Sequence, residues 1–250
     1  MAGDALPGAP QFQNRNVVIS TNKSYEKIAI ERGSKDPANV FVVRSGPVLD
    51  RLEILPPNPK WLNARKAMVG YVGVIGEQEG MDLFLPAVRE VVIEQGRDVQ
   101  FVIVGSGPGL AEAQQMATDL GVADHVTFTG RAPDHDLFEV LSTSDVCVNP
   151  DSVNEFNDKC TMNKILEYMA FSKPIVQFEM TEGRNSAHEA SLYAAPNDSK
   201  DMTAKIIELL DDPDRCAEMG RVGRERVETV LSWDWQVQAL IDAYQRVQKA

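Results

Sequence analysis

Along most of the chain, short unbroken apolar runs alternate with longer segments in which apolar residues return every three or four positions. The runs read as buried strands and the periodic segments as amphipathic helices. Strands are predicted over 67–72, 99–104, 126–129, 146–149 and 174–178, and helices over 81–94, 110–120, 134–141 and from Thr161 or Met162 onward. Unbroken apolar strands separated by helices are the pattern of a parallel sheet covered on both faces. The predicted fold class is therefore α/β, a Rossmann-like doubly wound parallel sheet with a C-terminal helical tail. The tail is expected as helices over 204–210, 214–230 and 233–247, with Gly220 and Gly223 marking close packing or a bend. Trp233 and Trp235 are expected to pack against the sheet or a neighbouring domain.

Three shorter elements precede this pattern: a strand over 16–20, a helix over 22–32 that Gly33 ends, and a strand over 40–43. A lone βαβ unit cannot bury both faces of its sheet. Residues 14–52 are accordingly read as a remnant of another domain, closing at Arg44-Ser45-Gly46-Pro47, and 53–250 as the main domain, reached through a stiff connector at Pro56-Pro57-Asn58-Pro59. Residues 1–13, small, polar and punctuated by Pro and Gly, are expected to be a disordered lead-in.

In an open parallel sheet, ligands bind beyond the carboxyl ends of the strands. Five loops converge there, at 73–80, 105–109, 130–133, 149–159 and 179–188. The most informative residues follow the fourth strand: Asn157, Asp158 and Lys159 in a polar loop, then Thr161, Met162, Asn163 and Lys164 at a helix start, then Glu167. With Thr161 as N-cap, the amides of Met162, Asn163 and Lys164 lack intrahelical partners, and they form an anion site that Lys159 and Lys164 reinforce. Glu167, on a helix that otherwise reads as mostly buried, needs a hydrogen-bond donor, and a ribose diol supplies two. The plain alternative is a crossover helix with both lysines solvated and Glu167 paired to an arginine. The turn Gly105-Ser106-Gly107 is a weak dinucleotide signal, since its spacing is GxGxG and no acidic residue closes the next strand.

Composition narrows the classes. A net charge of −12 over 250 residues argues against nucleic acid or an anionic membrane as a partner, so any phosphate site is local. Three scattered cysteines and three histidines without HExxH indicate neither a disulfide framework nor a metal centre. The opening residues lack a signal pattern and no apolar run is long enough to span a bilayer, which makes a cytoplasmic location the expectation.

The loops taken together resemble the C-terminal half of a bacterial family 4 glycosyltransferase of the GT-B type. The residues that carry the resemblance are Gly130-Arg131-Ala132-Pro133, the run NDKCTMNKILEYMA from Asn157, Lys173-Pro174-Ile175-Val176, the segment SLYAAPND from Ser191, and the tail MGRVGRERVETVLSWDWQ. The resemblance implies a nucleotide-sugar donor, UDP-sugar being favoured, and hexosyl or N-acetylhexosaminyl transfer with retention, with no cofactor or metal. Glu167 stands where the family's E-x7-E motif has its second glutamate, which holds the ribose. Thr161, Met162 and Asn163 match the loop at the diphosphate or sugar, Gly130 and Arg131 the segment beside the base, and Gly73 and Gly76 the glycine-rich loop under the phosphates. Lys159 stands in place of the motif's first glutamate, as in a surface-polysaccharide subgroup bearing NDxxTMNK. Val74 and Glu79 replace the usual Arg and Lys, so the diphosphate is expected to draw its charge from Lys159, Lys164 or Arg184. Lys159 and Glu167 are the expected catalytic pair. Most of the acceptor domain is absent from this sequence, so the chain is expected to bind a donor and transfer nothing alone, its acceptor half supplied elsewhere and giving any peripheral membrane association. A GT-B epimerase fragment, or a non-catalytic nucleotide-sugar-binding or regulatory subunit, are the other readings.

Overall fold

The computed structural model describes residues 17–248. The expected lead-in at 1–13 lies outside them, as does Asn16, where the first strand was expected to begin. The opening unit is a two-stranded parallel sheet, β1 (Val18–Ser20) and β2 (Val40–Val42), joined by α1 (Lys23–Glu31). Asn22 caps α1, its Oδ1 accepting from the Tyr25 amide at 2.8 Å.

The main domain is one six-stranded sheet, all parallel. Its strands are β3 (Ala67–Val72), β4 (Val99–Val104), β5 (Val126–Gly130), β6 (Val146–Asn149), β7 (Ile175–Phe178) and β8 (Ser191–Ala194), in the spatial order β5-β4-β3-β6-β7-β8. The order reverses between β3 and β6, and the crevice beyond their carboxyl ends is where a doubly wound sheet takes a ligand. On one face lie α2 (Met81–Arg89), α3 (Leu110–Asp119) and α7 (Ser199–Leu210), where Phe84 meets Phe101 edge-on at 5.8 Å. On the other lie α4 (Asp134–Thr143) and α5 (Asn163–Ala170), burying Ile165, Leu166, Met169 and Phe171, and α8 (Pro213–Arg226) packs against both α5 and α7. Every residue of β4, β6 and β7 is buried, so no alternation marks these strands in the sequence.

The structure corrects two stretches. The segment expected to be a loop over 179–188 holds a helix, α6 (Thr181–Ala187), and the sheet gains the strand β8 after it. The sequence of α6, TEGRNSA, has weak helix propensity, and β8 is only SLYA, so neither announces itself. The last helix, α9 (Trp233–Gln248), returns to the opening unit: Trp233 N donates to Pro47 O, the Arg44 amide to Gln236 Oε1, and Arg246 Nε to Asn39 Oδ1. Trp233 is half-buried, while Trp235 is 57% exposed and Tyr244 62%, and among the described residues the Trp235 indole is held by a bond from Nε1 to Glu228 O. Among the described residues no helix is long and apolar enough to cross a membrane.

The connector is fastened rather than free. Asn58 Nδ2 and Trp61 Nε1 donate to the two oxygens of Glu139 on α4, Lys60 pairs with the same carboxylate, and the Asn58 amide donates to Thr143 Oγ1. Lys60, then Asn58, hold the Glu139 carboxyl down at about 2, against an ordinary 4.5. A carboxyl whose folded value is depressed stabilises the fold above its unfolded value, and that contribution is lost as pH falls towards the folded one. Urea unfolding of wild type and Glu139→Gln should therefore differ at neutral pH and converge between pH 4.5 and about 2; parallel stability curves over that window would contradict the assignment.

Candidate functional site

The rim at the strand-order reversal is built by backbone contact. The loops after β3 and β4 lie against each other, with Gly73 N donating to Val104 O, Ile75 N to Ser106 O and Gly109 N to Ile75 O. Gly105 N donates in turn to Gly130 O, after β5. At Gly105 a Cβ would fall 1.7 Å from Gly73 O, so this glycine serves the close approach of two loops rather than a dinucleotide turn. Gly130 has φ +66°, which glycine takes without strain. These loops enclose a cleft of about 550 Å3 lined by Gly73, Val74, Gly105, Arg131, Ala132 and Leu137. Gly76, three residues beyond Gly73, instead lines a separate hollow with Asp82, Pro108 and Glu112, near the starts of α2 and α3.

Helix α5 enters the crevice from the other side of the reversal. Its Lys164 Nζ donates to Asp151 Oδ1 at 2.5 Å and to Asn149 Oδ1 at 3.1 Å, and lies 5.0 Å from the centre of the Tyr71 ring. The Lys164 and Asp151 side chains are only 11% and 5% exposed. A Cβ on Gly73 would meet Lys164 Cε at 3.0 Å, which places the ammonium beside the glycine-rich loop. One turn on, the buried Tyr168 hydroxyl accepts from Val72 N at 2.8 Å and donates to Val148 O at 3.1 Å, pinning α5 to the ends of β3 and β6. Glu167, between them, is half-buried and takes no hydrogen bond from the described residues; burial raises its carboxyl above the usual range and Lys164 partly offsets this.

The expected N-cap is corrected. Helix α5 begins at Asn163 with Met162 in the cap position and no side-chain capping bond, because Thr161 Oγ1 accepts from Asn22 Nδ2 of the opening unit at 3.0 Å. The orphan amides at the helix start are those of Asn163 and Lys164. Asn22 Nδ2 also reaches Lys159 O at 2.8 Å. The Lys159 ammonium pairs with exposed Glu155 at 2.7 Å, beside a hollow of about 300 Å3 lined by Tyr25, Ile28, Arg32 and Phe156. Asn157 is buried and donates to Gln78 O and Ser152 O, tying the loop after β6 to the loop after β3. Asp158 caps α6, accepting from Thr181 N at 2.7 Å and Thr181 Oγ1 at 3.1 Å. Arg184 pairs with Glu179 and stacks 3.9 Å from the Tyr193 ring. The structure thus brings Gly73 and Lys164 together, with Arg131 lining the cleft that Gly73 shares, and gives Lys159, Asp158 and Arg184 protein partners of their own.

Sequence reading missed Asp151, Asn149 and Tyr71, although Pro150-Asp151 was visible as the end of a strand. It also missed Glu182 on α6, a buried carboxylate that accepts from Ser24 N and Oγ at 2.9 and 2.7 Å and faces Arg44 at 3.6 Å. No local pattern marks it, since Ser24 and Arg44 lie far off in the chain. Among the described residues, His135, Asp136 and Glu139 come within 4.8 Å of one another, and Lys60 already sits on both carboxylates.

Residues 66–212 match the family model described as "Glycosyl transferases group 1". Among curated proteins, the chain is 27% identical over 221 residues to a 2-deoxystreptamine glucosyltransferase of Streptomyces kanamyceticus, covering 84% of this chain and 54% of that protein. It is 30% identical over 160 residues to a GDP-mannose-dependent monoacylated alpha-(1-6)-phosphatidylinositol monomannoside mannosyltransferase of Corynebacterium glutamicum, covering 63% and 41%. Among solved structures, it superposes on Anabaena HepE in complex with UDP with a TM-score of 0.75 at 16% identity, over 94% of this chain and 64% of the other. The chain spans about half the length of the curated relatives it matches.

The close approach of the two glycine loops is testable. Gly105→Ala must push the loops after β3 and β4 apart, which should cost about 1–3 kcal/mol of stability in urea unfolding. A variant as stable as wild type would show that the loops yield freely.

Proposed function

The chain belongs to the glycosyl transferases group 1 family, and we propose that it is the donor-binding half of an enzyme that transfers a sugar from a nucleoside diphosphate to an acceptor. The observation that carries this reading is the placement of Lys164 beside Gly73 at the point where strand order reverses. A diphosphate there meets the ammonium and the orphan amides at the start of α5, and charge developing on the leaving group is stabilised without movement of the protein. Glu167, half-buried and without a donor among the described residues, takes the ribose hydroxyls, and the cleft at Gly130 and Arg131 takes the base. Among the described residues the Lys159 ammonium is held by an exposed carboxylate, a weak tie, so it exchanges Glu155 for a phosphate at little cost.

Retention, and hexosyl or N-acetylhexosaminyl transfer, are proposed on the family resemblance. A UDP-sugar donor has the UDP complex of HepE as support, and a glycolipid or cell-surface polysaccharide acceptor has the mannosyltransferase relative. The acceptor domain is proposed to be a further half, with residues 14–52 as its last piece and any peripheral membrane contact on its side. The half-length match to relatives supports the expectation that this chain alone binds donor and transfers nothing.

A thermal-shift screen of nucleoside diphosphates and their sugars tests the reading, since a ligand at a hundred times its dissociation constant stabilises by about 2.7 kcal/mol. By calorimetry, Glu167→Gln should weaken the best nucleotide by about 1–3 kcal/mol while the fold holds; unchanged affinity would remove Glu167 from the site. Lys159→Ala should weaken a nucleoside diphosphate far more than its nucleoside, and the loss should shrink with salt. Equal losses for both ligands would confine Lys159 to the rim.

A further inference from the structure

The buried pair at the reversal point has a feature that phosphate binding alone does not explain. A phosphate site gains from an uncompensated cation, yet Lys164 is neutralised by Asp151 at 2.5 Å, and Asp151 is itself buried. A carboxylate at this place repels a diphosphate unless it has other work. In the loops after β6 and β7 the other carboxylates have partners: Asp158 the start of α6, Glu155 Lys159, Glu179 Arg184 and Glu182 Ser24. Asp151 uses one oxygen on Lys164; Oδ2 takes no donor from the described residues. Beside it, the Nδ2 of fully buried Asn149 has no hydrogen-bond partner among the described residues either. A free acceptor and a free donor thus flank a buried ammonium.

Resting on the donor reading above, we propose that Asp151 is the residue that recognises the transferred sugar, accepting a hydrogen bond from a ring hydroxyl while Lys164 holds the phosphate to which that sugar is joined. In a sugar diphosphate the phosphate and the ring hydroxyls nearest the anomeric carbon are adjacent groups of opposite demand: one needs a cation, the others an acceptor. Lys164 and Asp151 offer these in contact. The ligand then shares the ion pair instead of breaking it, because the ammonium has three donors, of which Asp151 and Asn149 take two. A bare diphosphate fills only the cationic half and leaves the Asp151 carboxylate facing its charge. The pair therefore discriminates for the sugar nucleotide over the product diphosphate, which favours product release after transfer.

The test measures affinities of UDP and UDP-glucose, and of GDP and GDP-mannose, by calorimetry on the full chain, using whichever pair binds more tightly. The quantity read is the ratio of diphosphate to sugar-nucleotide dissociation constants. In Asp151→Asn that ratio should fall about tenfold or more, with diphosphate affinity held or raised. Since loss of one partner of a buried pair can unfold a protein, Asp151→Glu is measured beside it. It keeps the charge and moves the carboxylate, and it should likewise lose sugar discrimination while binding the diphosphate as wild type does. An unchanged ratio in a folded variant, or equal losses for both ligands, would overturn the proposal and make the pair purely structural. Wild-type chain that binds neither nucleotide pair would overturn the donor reading itself, and this proposal with it.

Discussion

A buried ammonium must be compensated, and the arrangement of the site follows from how Lys164 meets that demand. Asp151 and Asn149, at and just beyond the end of β6, supply the acceptors, and the Tyr71 face from β3 supplies the third side. These contacts require α5 to lie across the two strands between which the order reverses, and Tyr168 fixes it there by bonding the backbone of both. The glycine-rich loop can then come close, because glycine at 73 leaves room for the lysine stem. One ion pair thus links the strand order to the position of the cation.

A second set of contacts joins the opening unit to this rim. Asn22 bonds the segment at Lys159 and Thr161, while Ser24 and Arg44 converge on buried Glu182. Helix α9 closes the other side, and its Trp235 and Tyr244 remain exposed next to a sheet of two strands. A parallel sheet this small has little core of its own, so the unit derives its order from the domain it leans on. The elements nearest the crevice are therefore those whose position depends on contacts far apart in sequence.

This division explains what could be read from the sequence. The strands β3, β4 and β6 were legible to the residue, since a sheet buried on both faces writes itself as unbroken apolar runs. The doubly wound class followed from their alternation with helices, and the family from the residues around α5. Helix α6 and strand β8 were not legible, because a seven-residue helix containing Gly183 and Asn185 is held by a cap from Asp158, a partner outside it. Thr161 carried the right residue type for a cap, but Asn22, far off in the chain, claims its hydroxyl. The same limit hid Asp151: a carboxylate after a strand is unremarkable until the fold sets a buried lysine against it.

The most direct measurement is a crystal structure of the chain soaked with UDP. The account predicts the terminal phosphate within hydrogen-bond distance of Lys164 Nζ and of the amides at the start of α5, with the base in the cleft beside Arg131 and the ribose at Glu167. Nucleotide bound instead in the hollow beside Gly76 and Glu112, with the Lys164 ammonium untouched, would contradict it.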